Sequence, residues 1–198
     1  MQGVLGRDWP GTTEIRLGMG REEFEALAPE GPVPSWAVGL AWPELNVVLM
    51  EAHSLVKADG QKTLRHELVH VALGRLGKDW PRWFQEGVAQ HMTQERRYDL
   101  ASYATLVRAV RTDRIIRFDD LTSRFPDTPT DVEVAYAQSA AFVAFLFERH
   151  GTAQFGELLD ASAEGAIFPT AFARAFRTSV GLEEAAFRAQ LPERYPLW

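Results

Sequence analysis

The sequence predicts an α+β protein, a small N-terminal sheet followed by a mainly helical part. Residues 1–60 hold short apolar runs broken by Pro- and Gly-rich turns, the pattern of strands. From residue 61 onward apolar positions recur at helical spacing and continue so to the end. Strands first and helices after make an α+β arrangement. No linker-like stretch interrupts the 198 residues. They read as one domain with a sheet lobe over 1–60 and a helical part over 61–198.

The elements follow in order. "TEIRL" (13–17) reads as a strand, and "GREEFEAL" (20–27) as a short helix with acids in its first turn, where the dipole favours them. "APEGPVPSW" (28–36) is a loop. "AVGLAW" (37–42) and "NVVLM" (46–50) form a hairpin with "PEL" as its turn. Gly39 suits a strand that something must approach closely. Helices follow at 61–76, 81–95, 99–112, 131–150, 152–161, 168–177 and 181–190. Gly77 suits a C-cap, Pro81 a helix start, Thr130 with Glu133 a capping box, and Gly151 a helix end.

Composition narrows the chemistry. A net charge of −6 with scattered Lys and Arg predicts no nucleic-acid partner. No apolar run is long enough to span a bilayer. Cysteine is absent, which removes disulfides, thiol nucleophiles and thiolate metal sites. Any bound metal must then be held by His, Asp or Glu.

The segment "TLRHELVHVALGRLG" (63–77) carries polar groups in an apolar setting. Leu64, Leu68, Val69, Val71, Ala72, Leu73 and Leu76 surround the helix, which predicts that it is largely buried. His66, Glu67 and His70 then need partners, because burying unpaired polar groups is costly. His66 and His70 are four apart, on one face and about 6 Å apart along the axis, so both can reach one metal ion. Glu67 sits about 100° round from His66, beside such a metal, where a base for an activated water belongs. The pattern is HExxH, the zincin signature; its bland alternative is a core helix with satisfied histidines. A catalytic zinc takes three protein ligands and keeps one position open. The motif continues "VALGRLG" (71–77) with no histidine, so the HExxHxxGxxH pattern is absent. In the next helix, "WPRWFQEGVAQHM" (80–92), the candidates are Glu86 and His91.

Residues 66–92, "HELVHVALGRLGKDWPRWFQEGVAQHM", resemble the gluzincin metallopeptidases, most closely the small peptidase-MA-like bacterial domains. Those carry HExxH on one helix and W-x-x-E-G-x-A on the next, matched here by Trp83 to Ala89. The resemblance implies a zincin-like fold with an antiparallel edge strand, one Zn2+ per chain, and Glu86 as third ligand beside His66 and His70. "GLAWPELNVVLM" (39–50) looks like the edge-strand segment, "YAQSAAFVAFLFERHG" (136–151) like the long helix after the site, and "AFARAFRTSVGLEEAAFRAQL" (171–191) like the closing helices. It also implies hydrolysis of a peptide or protein substrate by a zinc-activated water, with Glu67 as general base and Tyr136 steadying the oxyanion. Two departures stand out. Where relatives often carry an acid that steadies a ligand histidine, this chain has Gln90, an uncharged acceptor. Relatives also have a strand and a helix before the segment matching "LGRDWPG". Either this is a reduced version, or upstream residues have been removed. Domains of this kind are often exported, so with the abrupt start the resemblance implies an exported, extracytoplasmic bacterial parent; otherwise the protein is cytoplasmic.

Other residues keep two readings. Tyr136 serves either as the oxyanion donor or as a core tyrosine. His91 and His53 read first as ordinary histidines and second as cleft residues. His150 reads as an electrostatic cap. Trp36, Trp42, Trp80 and Trp83 read first as core, with one or two of them lining a substrate groove as the second reading. Two further functions stay open: a zincin-like binding or structural domain without turnover, and a zinc hydrolase of non-peptide amides.

Overall fold

The computed structural model describes residues 11–94 and 100–196. Most of the opening "LGRDWPG" segment, and the expected helix limits at 95 and 99, lie outside them. The fold is mixed α+β: a three-stranded sheet and, among the described residues, seven α-helices. The chain divides into two compact units, one running to Arg75 and one from Leu76 onward. No helix among the described residues is long and apolar enough to cross a membrane.

The first unit contains β1 (Glu14–Gly18), α1 (Arg21–Ala26), β2 (Gly39–Trp42), β3 (Val47–Glu51) and all but the last residue of α2 (Ala58–Leu76). The sheet order is β1-β3-β2, with β1 parallel and β2 antiparallel to β3. The expected hairpin is present. Its turn is a 3-10 turn over Pro43–Leu45, closed by Asn46 at φ 56°, a left-handed conformation that asparagine tolerates. Central β3 buries Val47, Val48, Leu49 and Met50, so both faces of the sheet are covered. On one face Val48 and Met50 pack with Val71, Leu64 and Leu68 of α2. On the other, Phe24 of α1 sits so close to Gly18 that a Cβ there would fall 2.5 Å from the Phe24 Cα. Arg75 fastens α2 to the strands: its guanidinium donates to Asn46 Oδ1 at 2.6 Å and Thr13 Oγ1 at 2.8 Å.

The second unit holds α3 (Arg82–Thr93), α4 (Leu100–Arg111), α5 (Pro129–Ala163), α6 (Phe168–Phe176) and α7 (Val180–Arg194). Its core is aromatic. Trp83 packs against Phe84, Phe118, Phe142 and Phe168, with ring centroids 5.0–5.9 Å apart. Helix α3 lies on α5 at Gly87, where a Cβ would fall 2.5 Å from both the Ser139 carbonyl oxygen and Val143 Cγ2. Gln138 of α5 ties down the loop after α4, donating to the Ile116 carbonyl at 2.8 Å and accepting from its N–H at 2.9 Å.

Several local expectations need correction. The two helices expected at 131–150 and 152–161 are both there, following each other directly as α5 and parted by a kink at Gly151 with φ 82° and ψ 174°. Glycine alone takes that backbone without strain. The cap of α5 is Thr128, not Thr130. Thr128 Oγ1 accepts from the Asp131 N–H and bonds the Asp131 carboxylate at 2.6 Å. Pro129 explains the shift, since its fixed φ suits the first helical position and starts the helix earlier. Pro81 is likewise the N-cap of α3 rather than its first helical residue. Gly77 follows α2 without a positive φ; its bare Cα instead leaves room for the Trp80 indole, 3.3 Å from where a Cβ would lie. Trp36 is 77% exposed rather than core.

Candidate metal and catalytic site

Helix α2 presents His66, Glu67 and His70 half-buried; its buried residues are Gly60, Val69, Val71, Ala72 and Leu73. The largely buried helix expected from composition is therefore buried in part, because its first turns hold polar groups that reach solvent. The two imidazole rings meet edge to face, with centroids 4.8 Å apart, as four-residue spacing requires.

Glu67 is placed by the sheet. At Gly39 of β2 a Cβ would come within 2.7 Å of Thr63 Cγ2, 2.8 Å of Met50 Sδ and 3.4 Å of Glu67 Cγ. The close approach expected at Gly39 is thus that of α2 itself, and the Glu67 stem lies alongside the strand. Among the described residues strand β2 is an edge, paired with β3 on one side only.

Glu86 is carried by α3 and is only 6% exposed. Its Oε1 lies 3.2 Å from Arg82 Nη2, one turn earlier. Ligand-capable atoms of His66, His70 and Glu86 all lie within 4.8 Å of one another, so this group can hold a metal ion. The chemistry of the donor set, two imidazole nitrogens and a carboxylate oxygen, fits zinc. Gln90, one turn beyond Glu86, is 2% exposed. Its Nε2 donates to the Tyr136 carbonyl over a long 3.5 Å, and its Oε1 is buried with no hydrogen-bond partner. An orphaned buried acceptor costs free energy unless a donor reaches it. Tyr136 is half-buried on α5, its ring meeting Phe125 edge-on at 4.9 Å.

The remaining candidates go elsewhere. His53 is exposed in a 3-10 turn. His91 stacks on Phe147 with centroids 4.3 Å apart. It lines a cavity of about 420 Å³ with Tyr103, Ala141, Glu148 and Tyr195. Burial pushes the Tyr195 phenol above its ordinary pKa. His150 stands in the last turn before the Gly151 kink, and its Nε2 lies 3.4 Å from the buried Glu183 carboxylate. Sequence reasoning passed over Arg82 and Phe125. The four-residue spacing of Arg82 to Glu86 was a visible signal, but the ring beneath its guanidinium, 5.5 Å away in Phe125, was not.

Comparison with known proteins adds one finding. The family model described as Peptidase MA superfamily matches residues 32–192, a span that includes every residue of the candidate site. No curated protein and no solved structure matches the chain.

Proposed function

Since this chain belongs to the peptidase MA superfamily, we propose that it is a zinc metallopeptidase of the gluzincin type. The observation that carries this reading is the grouping of His66, His70 and Glu86, with Glu67 next to His66 in the chain. In this reading His66, His70 and Glu86 hold one zinc ion. When bound, zinc supplies Lewis acidity toward a carbonyl oxygen and lowers the pKa of water toward neutrality. Glu67 takes a proton from the attacking water and passes it to the leaving amine, so one carboxylate serves as base and then acid. The Tyr136 hydroxyl donates to the developing oxyanion. Gln90 offers its orphaned Oε1 as acceptor to a ligand imidazole N–H, fixing the tautomer that leaves the other nitrogen to the metal.

The substrate is a peptide or protein segment. Edge strand β2, beside which Glu67 lies, has free backbone groups that an extended peptide can pair with as an added strand.

The test has two parts. Purified chain should contain about one zinc ion, the count three protein ligands and one open position allow. A broad peptide library should be cut by the wild type. Glu67→Gln should keep the zinc and lose roughly 10²- to 10⁴-fold in rate, the usual worth of a general base. No zinc uptake even after addition would sink the metal site. Zinc uptake with wild type and variant equally inert would leave a metal-bearing binding domain instead.

A further inference from the structure

Arg82 is an unexpected residue where it stands. It opens α3, the end of a helix where the dipole favours acids and disfavours cations. A basic residue placed four before an acid is also the weaker orientation for a helical ion pair. Local helix stability therefore gives no reason for it.

Its contacts give one. The Arg82 N–H donates to the Thr122 carbonyl at 2.7 Å, which fixes the base of the side chain. Its guanidinium lies over the Phe125 ring, and Phe125 meets the Tyr136 ring. From there Nη2 reaches Glu86 Oε1 at 3.2 Å. The arginine is 47% exposed but the carboxylate it grips is 8% exposed. A buried carboxylate needs a charge or donor beside it, and a planar guanidinium stacked on a ring is a pre-organised one.

We propose that Arg82 is a positioning residue for the metal centre. By engaging Oε1 it would hold the Glu86 carboxylate in one orientation toward a bound metal. The inference rests on His66, His70 and Glu86 being the ligands.

Zinc affinity of the metal-free protein, measured by competition with a chromophoric chelator, tests it in a way that does not depend on turnover. Arg82→Ala should weaken zinc binding by roughly 10- to 100-fold, the effect typical of residues that hold a metal ligand. Arg82→Gln, which keeps an amide donor but no charge, guards against an alanine variant that fails to fold. Arg82→Lys, which keeps the charge but loses the planar fork, should recover part of the affinity. The visible spectrum of the cobalt(II)-loaded protein should change in the alanine or glutamine variant, because coordination geometry sets it. A merely structural arginine would leave that spectrum unmoved. Uncharged variants with wild-type zinc affinity and cobalt spectrum overturn the proposal, provided His66→Ala abolishes binding. If wild type itself takes up no zinc, the ligand assignment and the proposal fall together.

Discussion

The hydrogen on Gly39 decides where Glu67 sits. Any larger group would press on Thr63, Met50 and the Glu67 stem at once. Gly39→Ala should therefore destabilise by about 1–3 kcal/mol, the usual cost of overpacking. It should also lower kcat more than it raises KM, because it displaces the base rather than the metal. Thermal unfolding beside steady-state kinetics on a cleaved peptide checks this; unchanged Tm and kcat would refute it. His66, Glu67 and His70 were legible in the sequence because four-residue spacing on a helix is itself a geometry. Glu86 was legible only through the motif around it, and Arg82 only by its four-residue spacing from Glu86, since the ring it stacks on lies far along the chain. Aromatic content likewise says little about which aromatics are buried: Trp83 is 1% exposed and Trp36 77%.

Elements were easier to read than their ends. The hairpin and the helices follow from apolar periodicity, which burial enforces over many residues. A cap depends on one or two side chains, and a neighbouring proline can move it. The capping-box pattern pointed to Thr130, but Pro129 starts the helix directly after Thr128. Thr128→Ala should accordingly cost about 1 kcal/mol, as loss of an N-cap does. Thr130→Ala, now within the first turn, should stay within about 0.5 kcal/mol of wild type. Denaturant unfolding of the two variants side by side separates them, and equal losses would return the cap to Thr130. Periodicity also could not tell what a helix packs on. Leu64, Leu68 and Val71 of α2 lie on Val48 and Met50 of the sheet, so the helix that carries HExxH folds with the strands. Gly87 does a comparable service in the second unit, letting α3, and with it Glu86, lie directly on the backbone of α5.

For the molecule as a whole, the proposed ligands make metal binding a folding term. His66 and His70 share one helix and Glu86 sits on the next, so the unfolded chain has no such site. A metal that binds only the folded state adds stability by mass action, about 2.7 kcal/mol at one hundred times Kd and about 4.1 at a thousand times. In a chain of about 200 residues, 1 kcal/mol moves Tm by roughly 2–4 °C. Zinc in that excess should raise Tm by roughly 5–16 °C over the metal-free protein, and a chelator should reverse the gain. His66→Ala should abolish the rise, whereas Glu67→Gln should keep it, because Glu67 moves protons and holds no metal in the proposed scheme. Thermal scans of the three proteins with and without zinc therefore separate binding from catalysis. A rise surviving in His66→Ala would place the bound zinc elsewhere. A rise lost in Glu67→Gln would make that glutamate a ligand and remove it as the base.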